Sequence, residues 1–150
     1  MRHFLILFAL CCLTPLSAQD AAQKSTASLA TFQAAGANLL SKLEEFATVL
    51  DTVKDKASAE TAKPKLTKLN KEIEVLSKEA AALGEPPAAI AKILDNDEKM
   101  QARAQNFTTK YITATQRVAG NKDVLAVLIQ TMKDFQRVSQ PPRASDVKPK

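Results

Sequence analysis

The side chains that carry out redox, metal and nucleophilic chemistry near neutral pH are almost confined to the start of this 150-residue chain. Its cysteines are Cys11 and Cys12, its one histidine is His3, and it has no tryptophan. A thiolate nucleophile or an imidazole general base would have to come from this segment. Without the segment, only hydroxyl, amine and carboxylate groups remain. We therefore predict a protein that is not an enzyme, with no catalytic residue, no metal site and no cofactor.

Residues 1–18 have the layout of a cleavable export signal. Arg2 gives a basic start, residues 4–13 are an unbroken apolar run, and Pro15 precedes the small residue Ala18. A helix that spans a membrane needs about 20 apolar residues, so this run is too short to be an anchor. We expect cleavage after Ala18, a periplasmic or secreted mature chain, and no stable membrane anchor.

Two charged stretches could hold a ligand. Asp95, Asn96, Asp97 and Glu98 offer oxygen atoms to a metal, but an EF-hand loop that starts at Asp95 would need a glycine and a glutamate at positions where the chain has neither. We interpret residues 95–98 as a break or kink in a helix, with solvated side chains. The second stretch, residues 63–78, is rich in lysine, but glutamates interleave with the lysines at the i,i+4 spacing of an exposed helix face. No aromatic residue is present there to stack on bases, so we expect no nucleic-acid partner.

The elements around these residues are helices. Apolar residues recur in alternating steps of three and four, which is the seam of a helix that packs against other helices, and the period of two that a strand needs is absent. The stripes run from Leu29 to Ala57, from Ala59 to Leu83, from Ile90 to Val118 and from Leu125 to Phe135.

The ends of these helices are marked by capping and breaking residues. Gly84 ends the second helix, and Asn121 caps the fourth. Ser58 is a candidate N-cap of the second helix, in which case Pro64 lies beyond the first turn and kinks it. If that helix starts nearer Thr61, Pro64 falls in the first turn and is tolerated. The sequence leaves both alternatives open.

These elements predict an all-α fold with three long helices of about 25–32 residues and a shorter fourth. Short connections favour antiparallel neighbours, so the simplest architecture is an up-down antiparallel helical bundle. The alternative is an extended antiparallel hairpin that dimerises to complete its core. We assign residues 1–18 to the signal peptide, 19–27 to a flexible N-terminal segment, 28–138 to the bundle and 139–150 to a disordered tail.

The stretch from Val53 to Leu66, followed by Leu69 and closed by Leu83, Gly84, Glu85 and Pro86, resembles a segment that recurs in small exported helical proteins of bacteria. The resemblance implies a bacterial source and a periplasmic or secreted product, and it supplies no active site.

Two classes of function fit these features. The first is a protein-interaction or structural module that engages another protein or a second copy of the chain. The second is a periplasmic carrier or sensor of a small apolar ligand held between helices, for which Gly36 and the alanine-rich first helix would leave room.

Overall fold

The computed structural model describes residues 27–139, and all of their regular secondary structure is helical. This confirms the all-α prediction. The export signal and nearly all of both predicted terminal segments lie outside the described residues. The helices are α1 (Leu29–Asp51), α2 (Lys56–Ala82), α3 (Ala88–Asp95), α4 (Glu98–Gly120) and α5 (Lys122–Val138).

The third stripe forms two helices, so the prediction of one long third helix is wrong. Asn96 ends α3, and Asp97 is the N-cap of α4, where its carboxylate accepts a hydrogen bond from the Met100 backbone N–H at 3.0 Å. The first N–H groups of a helix have no partner within it, so a carboxylate at this position favours a new start. The interpretation of residues 95–98 as a helix break is confirmed.

The second helix starts earlier than both of the starts that the sequence left open, the Ser58 cap and the start nearer Thr61, so both alternatives are wrong. Asp55 is the cap: its carboxylate accepts from the Ser58 N–H at 2.8 Å, and its own N–H donates to the Ser58 hydroxyl at 3.0 Å. This reciprocal pair satisfies two donors at once. Pro64 lies inside α2, past the first turn and exposed, so the backbone bond that it cannot donate is missing on the solvent side.

Helices α1 and α2 form an antiparallel hairpin. Lys42 pairs with Glu72 at 2.8 Å, whereas Glu45, further along α1, pairs with Lys65, which comes earlier in α2. The chain then returns through α3 as α4, which packs against α1. Helix α4 runs parallel to α1, since Arg103 pairs with Glu44 and Arg117, further along α4, pairs with Asp51.

Helices α4 and α5 form the second hairpin, which turns at Asn121 as predicted. The Asn121 side chain caps α5 by accepting from two backbone N–H groups. Because α5 packs against α2, the order around the bundle is α1, α2, α5, α4. Helices that follow each other in the chain are therefore neighbours within each hairpin, whereas the two hairpins contact each other through α1 with α4 and α2 with α5.

The core lies where all four longer helices overlap, and we call this region the closed end: residues 42–51 of α1, 56–75 of α2, 107–120 of α4, and α5. Phe135 stacks on Phe46 with ring centroids 4.1 Å apart, and Tyr111 lies 5.0 Å from Phe135. Burial raises the pKa of Tyr111. The largest fully buried side chains of the described residues lie at this end of the bundle or directly next to it: Phe46, Leu50, Val53, Leu66, Ile73, Val118, Val124 and Leu128.

An arginine caps the end of α1 at the closed end. The Arg117 guanidinium donates to the backbone carbonyls of Leu50, Asp51 and Val53, at 3.3, 2.6 and 3.0 Å, and to the Asp51 carboxylate at 3.1 Å. The last carbonyls of a helix lack partners within it and carry partial negative charge. Arg117 therefore caps the end of α1 from α4.

Candidate interaction surface

Helix α5 covers only part of α2. The Asn70 side chain donates to the Thr131 carbonyl at 2.8 Å, which fixes the register of the two helices. Helix α5 ends at Val138, about two turns beyond Thr131. Helix α2 continues to Ala82, more than three turns beyond Asn70 at about 3.6 residues per turn. Helix α2 therefore extends between one and two turns beyond the end of α5.

The end of the bundle at which α1 begins and α2 ends is what we call the open end: residues 29–41 of α1, residues 76–83, and α3. Burial there is sparse. In α1 it reaches only Gly36, Leu39 and Leu40, and no residue of 76–83 or of α3 is buried. Ile93 on α3 is 49% exposed. Helix α3 consequently presents apolar side chains to solvent without a helix packed over them.

The α1 part of the open end is also free of charge. Residues 29–41 contain no Asp, Glu, Lys or Arg, whereas residues 42–75 contain fourteen. The exposed positions of α1 in this stretch carry small or neutral side chains, namely Ala30, Thr31, Ala34, Asn38 and Ser41. An exposed helix face ordinarily carries charged residues, as α2 does.

A shallow groove of about 510 Å³ lies between the two helices at the open end. On α1 it is bordered by small residues, including Ala30, Ala34 and Asn38, and on α2 by Glu79 and Leu83. The alanine side chains are too short to fill the space between the helix ends, which leaves the groove open to solvent. On another side of α1, Gly36 lies against Met100 of α4.

Ion pairs mark the boundary between the two ends. Lys42 bridges to Glu72, and Arg103 forms a two-bond pair with Glu44 at 3.1 and 2.7 Å. Hydrogen bonds to Glu72 and then to Glu45 raise the pKa of Lys42, and the bond from Lys42 lowers the pKa of Glu72. Within residues 27–139, no ion pair joins two helices on the open side of this boundary.

The lysine-rich stretch of α2 lies at the closed end, where several of its charges are paired. Lys65 reaches Glu45 at 3.5 Å, and Lys68 reaches Glu72 at 3.8 Å. They line a second groove, of about 450 Å³, together with both glutamates. Positive charge there is offset locally, as on an ordinary solvated helix face.

The described part of the chain contains no group of three or more His, Cys, Asp or Glu side chains placed to hold a metal ion. Asp97 is used as a helix cap, and Asp95, Asn96 and Glu98 are exposed around it. Among the helices of residues 27–139, none has both the length and the apolar character needed to cross a membrane.

The open end was not singled out from the sequence, although one signal for it was present: the absence of charge from residues 29–41.

Comparisons with protein-family models, with curated proteins and with solved structures give no match to this chain. Its function is therefore argued from its own residues.

Proposed function

We propose that this chain is an exported, non-enzymatic helical protein, an up-down bundle that acts as a protein-interaction or structural module through its open end. The observation that carries the proposal is the contrast in surface chemistry. About three and a half turns of α1 have no charge on any face, whereas residues 42–75 carry fourteen charged residues. Charged residues are depleted at the centre of protein interfaces, and weakly solvated surface patches mark contact sites in many proteins.

Export is supported by the pattern of residues 1–18, and the non-enzymatic role by the loss of Cys11, Cys12 and His3 with that segment. A protein partner fits the open end better than other macromolecules do. Nucleic acid requires a positively charged surface, and residues 29–41 have none. A helix that lies on a lipid surface carries bulky apolar residues and cations, whereas the exposed positions here are mainly alanine and neutral polar residues.

The experiment that tests the proposal is site-specific photo-crosslinking of the full chain in its source organism. A photoreactive phenylalanine analogue replaces Ala34, which borders the open-end groove, or Ala126, which is exposed on α5 at the closed end and serves as the control. We expect a discrete crosslinked species from position 34 and none from position 126. The proposal is wrong if position 34 gives no adduct, or if both positions give the same ones.

The second function class, a carrier of a small apolar ligand, stays a prediction. Both grooves described above are open to solvent, whereas a carrier site encloses most of its ligand. Native mass spectrometry of protein purified from its source tests it, because a carrier would retain a bound small molecule of constant mass.

A further inference from the structure

We infer that the partner at the open end is a second copy of this chain, which docks α1 against α1 across a two-fold axis near Ala34. The inference rests on the proposed function and names its partner. The occupied groove would be the one between α1 and the end of α2. The first half of each α1 would then lie in the groove of the other copy, with Glu79 at the α2 border of that groove.

The absence of charge from the first half of α1 favours a second copy of the chain as the partner. A two-fold contact brings each residue close to its own counterpart, so any charge near the axis is repelled by itself. Residues 29–41 carry no charge, which removes this penalty where α1 meets α1. At the rim, residues 76–95 carry two basic and three acidic side chains, so the net charge of each copy there is only −1 and repulsion between two copies is weak.

The shape of the exposed α1 surface also favours a second copy of the chain. Ala30, Ala34 and Asn38 are exposed and follow one another at four-residue spacing along one face of α1. This spacing forms a straight ridge of small side chains, which allows two helix axes to approach to about 8 Å. Ala34 lies at the centre of the ridge, so an antiparallel copy places Ala30 of one chain opposite Asn38 of the other.

The size of the contact sets its strength. Thirteen residues of helix extend about 20 Å, and the α1–α2 pair is about 20 Å wide, so each copy contributes a footprint of about 400 Å². A stable interface buries about 800 Å² on each partner. The open end offers roughly half of that, so we expect reversible association with a Kd between about 10 and 500 µM rather than an obligate dimer.

The test is sedimentation velocity of the purified exported protein between about 5 µM and about 1 mM, a range that brackets the expected Kd. The wild-type chain is expected to shift from monomer to dimer across this range. Ala34→Glu should stay monomeric, since it places two carboxylates near the axis, and Ala126→Glu on α5 should associate like the wild type. Circular dichroism confirms that each variant is folded, and Asn38→Glu replaces Ala34→Glu if the latter is not.

A charge-swap mixture tests the axis itself. Ala34→Lys alone should also stay monomeric, and an equal mixture of Ala34→Glu and Ala34→Lys should associate at least as well as the wild type, because opposite charges then meet. The inference is overturned if the wild-type chain is monomeric at about 1 mM, if Ala34→Glu associates normally, or if the mixture fails to associate.

A failure here is distinguishable from a failure of the proposed function. If the chain is monomeric but photo-crosslinking at position 34 gives an adduct whose mass is not a multiple of this chain, the open end binds a different protein and only the present inference is wrong. If position 34 gives no adduct of any mass, the proposed function is wrong too.

Discussion

The closed and open ends share helices α1 and α2, but the residues of these helices are covered at the closed end and largely exposed at the open end. At the closed end, large side chains such as Phe46 and Leu66 are fully buried, and the surface carries many charged residues together with a few exposed apolar ones. At the open end, burial is sparse and the surface of α1 is neutral. This difference indicates that one half of α1 and of α2 stabilises the fold, whereas the other half is available to contact a partner.

The difference has a simple origin in helix length. Helix α5 has 17 residues and α2 has 27, so α5 leaves ten residues of α2 uncovered, and the Asn70–Thr131 register places about half of them at the open end. Where α5 is present, four helices exclude water from a shared core, and burial of apolar surface stabilises the fold. Where it is absent, the remaining helices cannot enclose one another.

The largest expected effect comes from deleting an aromatic ring at each end of α1. Phe46→Ala should reduce the free energy of unfolding by about 3–5 kcal/mol, because its ring is fully buried against Phe135. Phe32→Ala, at the open end and only partly buried, should cost less than about 1.5 kcal/mol. Urea denaturation followed by circular dichroism measures both. Equal losses would contradict the division into two ends.

A smaller effect is expected from the arginine that caps α1. Arg117→Met should reduce the free energy of unfolding by about 1–2 kcal/mol, since it leaves carbonyls at the end of α1 without their charged donor and the site is partly exposed. Arg117→Lys keeps the charge but not the branched donor geometry, so it should recover only part of the loss. Thermal denaturation of the three proteins tests this, and full recovery by lysine would show that charge alone matters.

The cap of α2 should give a pH-dependent effect. The hydrogen bond from the Ser58 backbone N–H lowers the pKa of Asp55 in the folded state. A depressed folded pKa means that the carboxylate stabilises the fold above the unfolded value of about 3.9, and that this contribution is lost as the pH falls through the folded pKa. Asp55→Ala should therefore have a lower Tm than the wild type at neutral pH, and the two should converge in acid.

Asp55→Asn is the matched control, because its side chain still accepts the bond but does not titrate. Its Tm difference from Asp55→Ala should persist in acid. A gap between the wild type and Asp55→Ala that stays constant below about pH 3 would rule out the carboxylate as the source of the effect.

The smallest effect is expected at α3. Ile93→Gln removes an apolar side chain that is about half exposed, so the free energy of unfolding should change by less than about 0.5 kcal/mol. Chemical denaturation checks this. A loss comparable to that of Phe46→Ala would mean that α3 belongs to the core, and the open end would then have to be redefined.

Much of the fold could be predicted from periodicity. The stripes of the second and fourth helices correctly include the buried residues Leu66, Ile73, Leu128 and Phe135. Local end signals worked where a single residue decides the geometry. Gly84 adopts a positive φ of 72° beyond α2, and Asn121 caps α5. Neither of the two starts that the sequence left open for α2 is right, because Asp55 and Ser58 are both good caps and only their reciprocal pairing decides between them.

The remaining features depend on contacts distant in sequence. Nothing near Arg117 indicates that it caps a helix more than sixty residues earlier in the chain. The packing of α4 on α1 depends on how α3 carries the chain across the hairpin, which periodicity does not encode. The open end follows from the register of α5 on α2, fixed by Asn70 and Thr131. A shorter fourth helix was visible in the sequence, but which part of α2 it would leave uncovered was not.

The most direct test of the two-ended account is hydrogen–deuterium exchange of the purified protein at low micromolar concentration, read out by mass spectrometry of peptides. The account predicts that amides of residues 59–73 and 124–137 exchange only through global unfolding, whereas those of residues 30–38 and 89–94 exchange at least about 100-fold faster through local opening. Uniform protection along α1, with residues 30–38 as slow as residues 46–50, would contradict the separation of a stable end from an open end.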